Sequence, residues 1–370
     1  MRYSTRVRLK KMIYISIAIV AFAAINVLLF TTVLNKNRSI QKSVVMIASG
    51  ENAKVYPYEN GVITVDGTTV RSYDELGQIQ FDTEVPRTGM QAFRSGNYTV
   101  LWETNLVVIL NSAGEVRINY DLGTDNVTAI MAVCNSSQFA VAVIEEGQYK
   151  IKVYDFNEIE VWDNLYTDMS ILDIGYFGEK DDQLWTVALD YHGTIPITRI
   201  TTNYPGSSQT GRITVNDQVC YFLEPLEEEV YIVGTHHIQS RTYTDTKLSE
   251  IMINGWALQS SYVNEQDDIA FLLAPVDATG TDVPLSALWY VTSGGEQYRI
   301  SMPSGIKRGI VTEKKIYAIS KEGIYYMNFN GQKRSFAKLS FLTDEVVGVC
   351  GSKAVVLRSG INYYLVGLNK

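Results

Sequence analysis

The sequence predicts an all-β fold, a closed ring of four-stranded antiparallel sheets preceded by one N-terminal transmembrane helix. Three observations carry that expectation. A single uncharged apolar run stands near the N-terminus. A strand–turn–strand pattern then recurs every 37 to 48 residues. No stretch after residue 42 sustains an apolar period of 3.6, which removes folds with crossover helices.

Residues 1–11 form a basic tail carrying Arg2, Arg6, Arg8, Lys10 and Lys11. The run from Met12 to Leu34 has 23 residues and no charge. At about 1.5 Å per residue it would span roughly 35 Å, enough for the hydrocarbon core of a bilayer. A cleavable signal has an apolar region of about 7–15 residues, so the longer run reads as an uncleaved signal anchor. Asn26 is its one strongly polar residue. Five basic residues precede the run, and Lys36, Arg38 and Lys42 follow it in the linker 35–42. That asymmetry places the N-terminus in the cytoplasm and residues 43–370 outside.

The repeat begins in the stretch 61–84. Its segment VRSYDELGQIQF (70–81) has an apolar strand, a polar turn with Gly, then an alternating strand. The same order recurs in VVILNSAGEVRI (107–118), IKVYDFNEIEVW (151–162), LWYVTSGGEQYRI (288–300) and IYYMNFNGQKRSF (324–336). Asn, Asp, Ser and Gly supply the chemistry of tight hairpin turns. Another hairpin lies upstream of each, as in 91–110 and 308–327. Units of four strands therefore start near residues 52, 90, 127, 170, 218, 256, 304 and 343. This period signals a β-propeller, with eight blades expected and seven as the alternative count. The last unit supplies only EVVGVC, KAVVLR and INYYLV. SVVMIAS (43–49) is the available fourth strand, and its pairing there would close the ring and remove exposed edges.

The turn pattern resembles quinoprotein-like propeller repeats and, more loosely, WD40 repeats. The blade-ending Trp of the former is present at Trp162, whereas Phe81, Ile118, Ile300 and Phe336 hold the equivalent positions. One Trp-Asp dipeptide occurs, Trp162-Asp163. As a whole, the basic tail, the anchor and the divergent propeller resemble an uncharacterised family of membrane-anchored propellers of Gram-positive bacteria. That resemblance implies no activity.

Charge is split along the chain. Removing the eight basic residues of 1–42 from the 32 Lys and Arg leaves 24 against 40 Asp and Glu, about −16 formally for the remainder. Nucleic acid is excluded as a partner, because it demands a basic footprint. Cys134, Cys220 and Cys350 sit in apolar strand runs and read as buried free thiols.

No catalytic residue, cofactor-binding residue or metal site is expected. The adjacent cysteines of quinone-cofactor dehydrogenases are absent, as are G-x-S-x-G, HExxH, P-loop and GxGxxG patterns. His192 and the pair His236-His237 fall in turns of two adjacent blades and read as ordinary turn histidines.

The function expected is that of a non-enzymatic, membrane-anchored scaffold outside the membrane, binding protein or an envelope polymer. The alternative is a small-ligand sensor or hydrolase using the propeller channel. One surface stands out. The first hairpin turns of blades 4, 5 and 6 hold Glu179, Asp181, Asp182, Glu224, Glu227, Glu228, Glu229, Glu265, Asp267 and Asp268, against Lys180 alone. The equivalent turns elsewhere (RSGN, NSSQ, TEKK and CGSK) are neutral or basic. The acidic patch is the candidate partner-binding site, and a basic juxtamembrane segment of a partner is its expected occupant.

Overall fold

A computed structural model describes residues 44–123, 126–279 and 283–368. The basic tail, the apolar run and the linker lie outside the described residues. Among the described residues, no helix is long and apolar enough to cross a membrane.

The described chain forms eight four-stranded antiparallel sheets. Seven are consecutive blades: 54–84, 91–121, 127–166, 169–215, 220–252, 256–301 and 306–338. The eighth pairs strands Glu345–Cys350, Ala354–Ser359 and Asn362–Gly367 with Val44–Ser49. In that sheet Val44 faces Val366 and Ser49 faces Asn362. Strands are lettered A to D outward within each blade, and neighbouring A strands lie against one another around the axis.

The turns from C to D of blades 1, 2 and 3 repeat one device. Asp74 Oδ1 accepts the amides of Leu76 and Gln78. Asn111 does the same for Ala113 and Glu115, and Asp155 for Asn157 and Ile159. The fourth residue of each turn lies in the left-handed region: Gly77 at φ 79°, Gly114 at 81°, Glu158 at 65°. A short polar side chain replaces the backbone partner, and Gly takes positive φ without a steric cost. The repeated polar-turn signature in the sequence therefore has a geometric cause.

Apolar side chains gather in eight clusters, one at each junction between neighbouring blades. The junction of blades 8 and 1 is built like the others, with Ile47, Val62, Tyr73 and Leu365 buried together. Inner strands read as continuous apolar runs because both of their faces are covered. Leu106–Leu110 is buried throughout, whereas the outermost strand Val116–Asp121 alternates.

Six A strands carry a β-bulge against their B strand, each near its start: at 129–131, 171–173, 220–222, 258–260, 306–308 and 346–348. A bulge bends the strand and re-aims adjacent side chains. These bulges lie toward the B–C face of the disc. The A–B and C–D turns form the opposite face, where Val44 also enters, beside the Cys350–Ala354 turn.

Candidate partner-binding face

All ten carboxylates singled out from the sequence lie in or beside A–B turns of blades 4, 5 and 6, hence on one face. The structure divides them by role. In blade 4 they are already engaged by the protein itself. Asn97 of blade 2 donates to both carboxylate oxygens of Glu179, at 2.9 and 2.8 Å. Asn135 of blade 3 donates to Asp182 Oδ1 at 2.7 Å, and Ser137 donates to the same oxygen. Burial would raise the Asp182 pKa, but hydrogen bonds from Ser137, Gln138 and Asn135 hold it below the usual carboxylate range. Asp181 caps the Gln183 amide at 2.9 Å. Glu179 and Asp182 thus join blades, and Asp181 shapes its own turn.

Glu224 sits on the A strand Cys220–Pro225. Burial pushes its pKa up to about 7, and the charge of Glu59 adds to the effect. Glu59 belongs to blade 1, so the two carboxylates face each other across the axis of the ring. Glu229 accepts a bond from the Tyr231 hydroxyl at 3.4 Å. Glu227, Glu228, Glu265, Asp267 and Asp268 are exposed. Asn264 Oδ1 shapes the last turn by accepting the amides of Gln266 and Asp268, both at 2.9 Å.

Glu265 and Asp268 edge a groove of about 520 Å³ between blades 6 and 7. Tyr262, Tyr290 and Phe329 give it an aromatic wall, and Glu296 and Glu313 add two further carboxylates. Tyr290 and Phe329 stack with centroids 4.8 Å apart and planes 11° from parallel. The field inside is acidic. The Tyr290 phenol is pushed up to about 12 by burial and then by the charge of Glu296. Burial and the charges of Glu313 and Glu265 raise Tyr262 in the same sense. Carboxylates beside the half-buried rings of Tyr262 and Phe329 suit an ammonium or guanidinium group, through ion pairing and cation–π attraction.

Sequence reasoning missed Tyr290, Phe329, Glu296 and Glu313. It weighed A–B turns one by one and counted TEKK as neutral or basic, although Glu313 of that turn lines the groove. Setting the C–D turn of blade 6 beside the A–B turn of blade 7, its neighbour on the same face, would have exposed the combination.

The histidines lie on the B–C side. His192 Nε2 is 3.7 Å from Asp168 and its Nδ1 is 3.9 Å from Asp190. His237 Nδ1 is 3.6 Å from Asp217. Among the described residues, no three His, Cys, Asp or Glu side chains gather in a metal-binding arrangement. All three cysteines are free and buried.

The fold is a WD40-like β-propeller. Among solved structures, the C-terminal WD40 domain of Sif2 superposes with a TM-score of 0.60 at 10% identity, covering 89% of this chain and 99% of that one. The β-propeller domain of Myceliophteria thermophila Cps50 (Swd1) gives 0.50 at 12% identity, covering 75% and 95%. No family model matches the sequence, and no curated protein does either. At such identities the likeness shows the fold alone.

Proposed function

We propose that the protein is a membrane-anchored, extracytoplasmic propeller that acts without catalysis as an interaction scaffold, and that its A–B face receives a basic segment of a partner protein. The carrying observation is the acidic, aromatic-walled groove between blades 6 and 7, with the exposed Glu227 and Glu228 on the next blade. The anchoring rests on the apolar run from Met12 to Leu34 and on its flanking basic residues. The likeness to anchored propellers of Gram-positive bacteria supports the same reading.

Val44 enters on the acidic face, so the linker 35–42 would hold that face toward the bilayer. Eight linker residues reach at most roughly 26–29 Å. Anionic headgroups would repel the patch within about a Debye length, and a basic juxtamembrane segment would relieve that repulsion.

Cross-linking and capture from membranes test the proposal. Replacing Glu227, Glu228, Glu265 and Asp268 with their amides should reduce capture of one specific partner at low salt and leave melting nearly unchanged. Capture that ignores both the substitutions and the salt overturns it. Protease treatment of intact protoplasts tests the orientation, which full protection of residues 43–370 would refute.

A further inference from the structure

The B–C face carries a second concavity, of about 750 Å³, where the A strands of blades 6, 7 and 8 begin. That volume lies within the range of small-molecule sites, roughly 300–1,000 Å³. We propose that this cavity binds an organic oxyanion, a carboxylate or phosphate group on a partly apolar body, and that Arg308, Lys307 and Lys321 hold the anionic group.

The bulges explain how the cations come together. In a regular strand successive side chains point to opposite faces. Here Lys307 and Arg308 both line the cavity, as do Leu258 and Gln259 one blade earlier. The ladder is interrupted at 306–308 and at 258–260, which permits both pairs to face one way.

Arg308 is the centre of the argument. It is half-buried. Its guanidinium donates only long bonds, both 3.4 Å, to the carbonyls of Val346 in blade 8 and Gln259 in blade 6. Among the described residues, no carboxylate oxygen lies within 4.0 Å of Arg308, Lys307 or Lys321. A guanidinium drawn out of water without a counter-charge is costly, and an anionic ligand would remove that cost.

Two carboxylates also line the cavity, but both are engaged. Glu345 pairs with Arg358 at 2.8 Å. Asp344 Oδ2 accepts the Gly360 amide at 2.7 Å. Lys307 Nζ donates to the Asp344 backbone carbonyl at 2.6 Å, so its charge is not neutralised there. The described lining thus holds three cations against two carboxylates. Leu258, Pro284 and Val346 provide apolar wall for the body of the ligand. The site lies on the face opposite the acidic groove and does not depend on the reading of that groove.

The test is a thermal-shift and calorimetric titration of the full-length protein. One arm uses inorganic phosphate and glycerol phosphate, and the other uses succinate and benzoate. At least one arm should raise the melting temperature saturably, and the responding arm identifies the anionic group. Arg308→Gln should weaken half-saturation at least about tenfold, the order expected for losing a charge-assisted contact. Its unliganded form should melt no lower than the native protein, because a poorly compensated charge is gone. Exposed Lys321→Glu guards against a folding defect and should weaken the same response. Absence of a response in both arms, or a response unchanged in both variants, overturns the proposal.

Discussion

Glu224→Gln should stabilise the protein above neutral pH and have little effect in acid. Burial and the like charge of Glu59 raise the folded-state pKa of Glu224 from an ordinary 4.5 to about 7. An acid whose folded pKa is raised holds its proton longer in the native state than in the unfolded one. Stability is therefore fully present below about pH 4.5 and declines as pH rises toward 7. The gap corresponds to at most about 3 kcal/mol at pH 8. Asp173, on the A strand of blade 4, adds a decline of the same sign. Burial pushes it from 3.8 to about 6, against a hydrogen bond from the Ile174 amide. Native protein should thus lose stability between roughly pH 4 and 7, and Glu224→Gln should flatten the upper part of that curve. Thermal unfolding at pH 4.5 and pH 8 measures the difference, with a gain of a few degrees in melting temperature at the higher pH. Exposed Glu227→Gln is the control and should change neither curve. The reasoning fails if Glu224→Gln melts at or below native protein at pH 8, or if any gain is equal at both pH values.

Ring closure is tested by Ile47→Ala in the first described strand. Ile47 is 4% exposed at the junction of blades 8 and 1, so the change should cost about 2–4 kcal/mol in chemical denaturation, whereas Met46→Ala, 58% exposed, should be near neutral. Gly114→Ala should cost about 2–4 kcal/mol in the same assay, because φ is +81° and the new Cβ would stand 2.7 Å from Phe81. Gly67→Ala, with φ at +61° and nothing within 4 Å, should cost only about 1 kcal/mol. Burial pushes Cys220 and Cys350 up to about 12 and Cys134 higher still, so alkylation at pH 8 should label none of them until the protein is unfolded.

The ring was legible because its causes are local. Asp74, Asn111 and Asp155 each cap two amides of their own turn, and that requirement writes itself into the sequence of blades 1, 2 and 3. The closing strand could be read by counting, since the last unit supplies three strands and 43–49 stands unused. The site was legible only in part, because its causes span blades. Nothing near Glu179 or Asp182 in sequence announces Asn97, Asn135 or Ser137, whose bonds engage both carboxylates. Tyr290 and Phe329 meet face to face from different blades, and either alone reads as ordinary strand packing. Arg308 shows the same limit from the other side. Its sequence surroundings are those of any A strand, and the lack of a nearby carboxylate that sets it apart is visible only in the fold.

The central claim is that the groove between blades 6 and 7 meets a basic partner segment. Photo-cross-linking in native membranes tests it most directly, with a photoreactive side chain at Gln266 in the groove and, separately, at Tyr191 on the opposite face. The account predicts a discrete adduct from Gln266, weakened by salt and by Glu265→Gln with Asp268→Asn, and no such adduct from Tyr191. An adduct formed from Tyr191 alone, or one from Gln266 that is indifferent to salt and to both substitutions, would contradict it.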